Sequence, residues 1–384
     1  MHDRKCDLRR NMNAMLCHLM RGSVLVLWLM HLSGCVTSSS VSDESQSIVD
    51  TASHAEIVTR ESLYIGNGPL LPALDINVVI FDVTPSAIEL PGQSAVRKLE
   101  TRLLPGLFRE ALVSSDLWGA VRVVPAASSL APVNIETTIV ASDGRDLVLD
   151  VQVVDATGEE WFSVRLTDRQ SEPDHDLASL QAIFSGVSNR MRDYWLSRTE
   201  ATRKRLISIA NLLYARDLAP DAFANYFDES GSVFRLTRMP SNDDPMLGRV
   251  QLIKNQEYLF CDAIDEQLVT VFERAGPTYY LWRVTAMEQA NWLDHYEAMA
   301  ASRSSGKGDG EFSRMQASYA AYRSYRMQEQ ALVELAEALE GESEPVVLPV
   351  QDAVVTLEGT LATQYAAWRD LLREIFQLEQ GVLL

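Results

Sequence analysis

Acid–base catalysis needs two carboxyl groups that face each other. Asp262, Asp265 and Glu266 crowd one helical stretch, but the chain holds 53 acidic residues against 34 basic ones, so this cluster reads as a solvated face. Metal binding needs His, Cys or carboxylates at ligand spacing. Past the first 34 residues the histidines are His54, His175 and His295; no two stand four apart and no Cys-x-x-Cys occurs. No metal and no other cofactor is therefore expected. In "SSGKGDG", residues 304–310, Lys307 stands among glycines. A phosphate loop, however, needs four residues between its glycines and a Ser or Thr after the lysine, so the stretch reads as a loop between helices. A Gly-x-Ser-x-Gly elbow is also absent, and no catalytic residue is assigned.

The remaining chemistry belongs to Cys35, which closes the run "VLVLWLMHLSGC" from Val24. The apolar part is too short for a bilayer core, which takes about 20 apolar residues in a helix. Arg21 before it and Ser33 and Gly34 after it give the order charge, apolar run, small residue that marks an export signal. The tetrad Leu32-Ser33-Gly34-Cys35 resembles the lipobox of bacterial lipoproteins. That resemblance implies a signal peptide over 1–34, cleavage before Cys35 and acylation of its thiol, with the membrane as a partner through the acyl chains. Several chains are needed because one alone is a marginal anchor. Val36 is not Asp, and the resemblance then implies the outer membrane, on its periplasmic face. The stretch before Arg21 is long and carries Asp3 and Asp7, so Met15 and Met20 stand beside Met1 as candidate starts.

The formal charge of −19 becomes more negative once the leader, with five basic and two acidic residues, is set aside. A surface so acidic repels nucleic acid, which is not expected as a partner. Cys261 would be the one thiol left, in an apolar setting that suits a small buried hydrophobe. Residues 35–62, Ser-rich and without apolar period, read as the lipidated cysteine followed by a flexible tether.

Two folded stretches follow. Over 63–198, "ALDINVVIFDV" (73–83) has strand composition, and Val96, Leu99, Leu103, Leu107 and Leu112 recur at helical spacing with Pro105 expected to kink or split the helix. A second strand begins at Ala120. Alternating runs at Ile135 to Ile139, Leu147 to Val153 and from Trp161 or Phe162 onward, punctuated by Asp143-Gly144 and Gly158, predict a three-stranded meander; a helix over 177–195 closes the unit. Over 199–384 the period becomes 3.6. Leu206, Ile209 and Leu213 mark one helix, Leu259 to Phe272 another, and Phe312 to Tyr322 a third, with Gly276-Pro277 and 305–310 as expected breaks. A short strand pair near 346–358 precedes a last helix carrying Tyr365, Trp368, Leu372, Ile375 and Phe376. The expected class is α+β, a sheet-plus-helix domain followed by a mainly helical one. The order of elements over 70–196 is similar to periplasmic domains of envelope-assembly lipoproteins, a likeness that names no functional residue.

Trp282, Trp292, Tyr296, Tyr319 and Tyr322 crowd helical stretches, mostly as core, with a partner-binding groove as the alternative use. The first expectation is a non-enzymatic, lipid-anchored periplasmic accessory, scaffold or assembly factor that binds an envelope protein. One rival is a cell-wall or polysaccharide-acting enzyme with two carboxyl groups about 5 to 9.5 Å apart in a cleft. The other is a small-ligand or lipid carrier with an apolar cavity.

Overall fold

The computed structural model describes residues 56–58, 61–88, 93–169, 178–228, 235–241, 244–302, single positions between 319 and 334, 346–350 and 353–379. The signal segment, Cys35, most of the tether, His54, His175 and Lys307 lie outside the described residues. Residues 52–384 form one compact unit, and the stretches on either side of residue 198 share one apolar core.

The fold is α+β. Its main sheet runs in the order β1 (Glu56–Val58), β7 (Glu160–Arg169), β6 (Asp146–Asp155), β5 (Val133–Ser142), β2 (Ile76–Val79) and β4 (Val121–Val124), with β3 (Asp82–Val83) paired beside β5. β5, β6 and β7 form the antiparallel meander, whereas β2 lies parallel to both β4 and β5 and β1 parallel to β7. Alternation decides which side is dry. Ile135, Ile139, Leu147, Leu149, Val151, Val153, Val164 and Leu166 are buried. On the other face Asp150 opposes Arg165 and Asp146 opposes Arg169 in register, each arginine gripping its carboxylate with two nitrogens at 2.6 and 2.7 Å. Both hairpins turn at glycines with left-handed backbone, φ 92° at Gly144 and 86° at Gly158. At the first turn the Asp143 carboxylate accepts the backbone N–H groups of Arg145 and Asp146 at 3.0 and 2.7 Å.

Helix α1 (Gln93–Ser114) covers the dry face and presents Val96, Leu99, Leu103, Leu107 and Leu112 to it. Pro105 sits inside α1, which is not split. Proline has no N–H to offer the carbonyl four residues back. That carbonyl, of Thr101, instead accepts the backbone N–H of Phe81 at 3.2 Å, from the chain between β2 and β3. The bond lost inside the helix is replaced by one that ties the helix to the sheet.

A short helix α2 (Ala178–Gln181) leads through a 3₁₀ turn into α3 (Ser185–Ser197), and α4 (Glu200–Leu218) follows. Thr199 caps α4 by accepting the Thr202 N–H at 3.2 Å. After α5 (Pro220–Phe223) and a small ribbon of β8 (Phe227–Asp228) and β9 (Arg235–Leu236) comes α6 (Pro245–Ser302), 58 residues without a break. The expected interruption at Gly276-Pro277 does not occur. Pro277 is exposed, as is Glu273, whose carbonyl loses its partner and can turn to water, while Ala275, Gly276 and Tyr279 beside it are buried and hold the helix on course. Strands β10 (Val346–Val350) and β11 (Ala353–Leu357) form the expected pair and run antiparallel, and α7 (Leu361–Glu379) buries Tyr365, Trp368, Leu372 and Phe376. Among the described residues no helix is long and apolar enough to cross a membrane.

Candidate functional site

Three carboxylates lie along α6 or against it, and each is buried. Glu100 of α1 accepts the Ser142 hydroxyl at 2.7 Å and the Tyr279 hydroxyl at 2.6 Å on one oxygen. Its other oxygen stands 2.7 Å from a guanidinium nitrogen of Arg97, off the line that a hydrogen bond requires, so attraction of charge holds that pair. Arg283, one turn after Tyr279, reaches the Ser142 and Tyr279 hydroxyls at 3.3 Å and the Gly144 carbonyl at 3.4 Å. Gly144 has to be glycine twice over: its φ is left-handed, and a Cβ there would stand 2.5 Å from the Cβ of Ala286.

Nearer the start of α6, Glu257 accepts the Tyr214 and Tyr365 hydroxyls at 2.6 Å each, so that α4, α6 and α7 meet on one side chain. Lys254, a turn earlier, donates to the Asn211 amide oxygen at 2.9 Å, and burial pushes its pKa down to about 8. Burial and the nearby carboxylates push the hydroxyls of Tyr214, Tyr279 and Tyr365 above the usual tyrosine range, which keeps them neutral donors. Cys261 is a free, buried thiol raised well above its ordinary pKa by the same loss of solvation.

Asp265, the third carboxylate, is the one that borders an opening. Its oxygens accept the Val123 backbone N–H at 2.9 Å and the Arg109 guanidinium at 3.1 Å. Burial nonetheless lifts its pKa to about 6, against the pull of Arg109 and the Val123 N–H. Beside it a cleft of about 320 Å³ lies between α1, β4 and α6, walled by Leu107, Val123, Leu268, Val269 and Phe272 and edged by Arg109, Glu110, Asp265 and Glu273. Arg109 also binds Glu110 at 2.5 Å, so one guanidinium links the buried carboxylate to an exposed one. The wall is apolar, and the polar groups stand at its rim.

Asp265 corrects the expectation of a solvated face. Asp262 and Glu266 are exposed, but Asp265 turns inward because β4 presents an unpaired N–H there. Asp262 instead meets Arg122 at 2.8 Å from the outside. Trp282 takes the core reading and not the partner-binding alternative: at 1% exposure it is stacked near Tyr279, lies 5.7 Å from the Arg97 guanidinium, and presents nothing to a partner. Tyr319 and Tyr322 are exposed, whereas the side chains of Trp292 and Tyr296 lie outside the described residues, as does Cys35. Arg109, Glu100 and Glu257 carried no sequence signal, since each sits singly in a helix whose apolar residues set the period. Among the described residues no three His, Cys, Asp or Glu side chains gather as a metal site.

Comparison with known proteins adds little. No protein-family model matches the chain, and no curated protein matches it. One solved structure, that of protein XCC0632 from Xanthomonas campestris, family-model DUF330, is similar to this chain at 11% identity, covering 39% of this chain and 99% of that one, with a TM-score of 0.23. A score so low carries no argument.

Proposed function

We propose that the chain is a non-enzymatic lipoprotein, anchored through Cys35 to the periplasmic face of the outer membrane, that serves an envelope complex as an accessory or assembly factor. Its location rests on Leu32-Ser33-Gly34-Cys35 and the short apolar run before them. The single observation that supports action by binding is the cleft at Asp265. It offers an apolar recess with charge at its rim, the composition of a site that seats an apolar group and orients it. Both oxygens of Asp265 are already engaged by donors, so the carboxylate there serves as a fixed acceptor.

Intact mass from membrane fractions, beside a Cys35→Ala variant, tests the anchor: the mature chain should begin at Cys35 and carry acyl chains that the variant lacks. A photo-crosslinking residue in place of Val269, which is 48% exposed at the cleft, tests the binding. Crosslinks to one envelope protein, lost with Phe272→Glu, support the reading; a wild-type chain that crosslinks to nothing at the membrane ends it.

The cleft's volume favours a second reading, a small-ligand carrier. About 320 Å³ lies at the low end for small-molecule pockets, roughly 300–1,000 Å³, and suits a short apolar ligand better than a two-chain lipid. Saturable binding of a short-chain fatty acid that Phe272→Glu abolishes would favour that reading over the first.

A further inference from the structure

We propose that a second cleft, where the end of α4 meets α5 and α7, binds a phosphate-class oxyanion. The inference does not depend on the reading above, and the two clefts share no lining residue. This one, of about 490 Å³, is lined by Arg216, Asp217, Pro220, Ala224, Arg369 and Arg373. Three guanidinium groups thus surround one recess in a chain whose net charge is −19.

Arg369 carries the inference. Its side chain is only 14% exposed, yet it makes no hydrogen bond to any described residue. Its nearest carboxylate oxygens are those of Asp217 at 3.8 Å and Glu257 at 3.7 Å, both beyond hydrogen-bond reach. A guanidinium has five N–H donors and cannot give up its charge, so a largely buried one needs acceptors. The two carboxylates that could close on it are held elsewhere. Glu257 takes two tyrosine hydroxyls, and Asp217 takes the Ser129 hydroxyl at 2.5 Å.

Arg373, one turn further along α7, gives Nε to the Asp217 carbonyl at 3.4 Å and Nη1 to Asp370 at 2.6 Å. Arg216 faces them from α4, its guanidinium 5.3 Å from the Phe227 ring. Asp217 in the lining, Asp370 on the outer side and Glu257 behind match the three guanidinium charges in number, so the recess offers unmet N–H donors more than net positive charge. A weakly hydrogen-bonding ion such as chloride therefore gains little, while an ion with several acceptor oxygens can meet guanidinium groups arriving from α4 and α7 together. A planar carboxylate serves one such fork; a tetrahedral phosphate serves more than one.

The test is calorimetric titration with inorganic phosphate of the full chain carrying Cys35→Ala, so that no acyl anchor holds it to a vesicle and this background serves as wild type for the cleft, beside flotation with phosphatidylcholine vesicles that contain or lack phosphatidylglycerol. Arg369→Gln and Arg373→Gln are the variants. The second, at an exposed side chain with no contact to Glu257, keeps the question open to decision should the first fail to fold. Saturable binding that weakens about tenfold or more in Arg373→Gln, the loss of one charged hydrogen bond, and that declines with salt supports the site. Binding of inorganic phosphate identifies a soluble phosphate-bearing ligand, and retention on phosphatidylglycerol vesicles alone identifies a lipid headgroup. A wild-type chain that binds neither probe, or a folded Arg373→Gln that binds as well as wild type, overturns the proposal.

Discussion

Glu100 and Glu257 are near copies of one another in chemistry and differ in what closes them. Both are fully buried, and both accept two hydroxyl groups. Arg97 stands 2.7 Å from Glu100 and is itself only 1% exposed, so charge, countercharge and donors form one sealed knot between α1, the β5–β6 turn and α6. Arg369 stands 3.7 Å from Glu257 and opens onto the arginine-lined cleft. The first arrangement fastens a helix to a sheet. The second fastens three helices and leaves a cation facing a space.

The largest expected effect separates the two. Glu100→Ala leaves Arg97 buried with no countercharge and should cost about 3–5 kcal/mol, measured by urea unfolding. Glu257→Ala should cost less, about 2 kcal/mol, because Arg369 can turn to water in its cleft; equal losses would erase the contrast.

Asp265, rimmed by a cleft yet well buried, supplies an intermediate case that pH can read. Its folded pKa, about 6, lies above the 3.8 of an ordinary Asp. The folded state therefore holds the proton more tightly, and the unfolding free energy should fall as pH rises from about 4 to about 6, by roughly 2–3 kcal/mol. Asp265→Asn should flatten that slope in unfolding midpoints taken across the window. An unchanged slope would show that the carboxyl is hydrated and belongs with the exposed groups.

Smaller changes sharpen the comparison from the donor side. Tyr279→Phe and Tyr365→Phe each remove one hydroxyl from a buried carboxylate and should cost about 1–2 kcal/mol. Combined with the matching Glu→Ala change, each loss should shrink, because the partner is already gone. Smallest of all is the same ionic chemistry in water: Arg165→Ala on the outer face should change stability by about 0–1 kcal/mol despite the two contacts to Asp150.

Much of this frame was legible as pattern. The meander, its glycine turns, the apolar face of α1, the strand pair near 346–358 and the buried face of α7 all announce themselves through period and turn chemistry. The polar knots do not. Arg97, Glu100, Tyr279 and Arg283 fall on helices as ordinary amphiphilic residues, and only contact between segments 179 positions apart in the chain shows that Glu100 and Tyr279 face each other. Gly276-Pro277 misleads for a related reason: local chemistry asks for a stop, and packing on both sides of the pair overrules it. Asp265 hid among two exposed acids, because sequence cannot tell which of three neighbouring carboxylates will meet a strand's free N–H.

Pro105 holds one more consequence. Were it alanine, the Thr101 carbonyl would have two suitors, the helix's own N–H and that of Phe81. The internal one, being closer in sequence, would compete at little entropic cost. A change that looks like a repair of α1 would thus loosen its joint with the strands beneath. The worst helix former in the segment reserves a seat for a neighbour, and a more regular helix would be a less attached one.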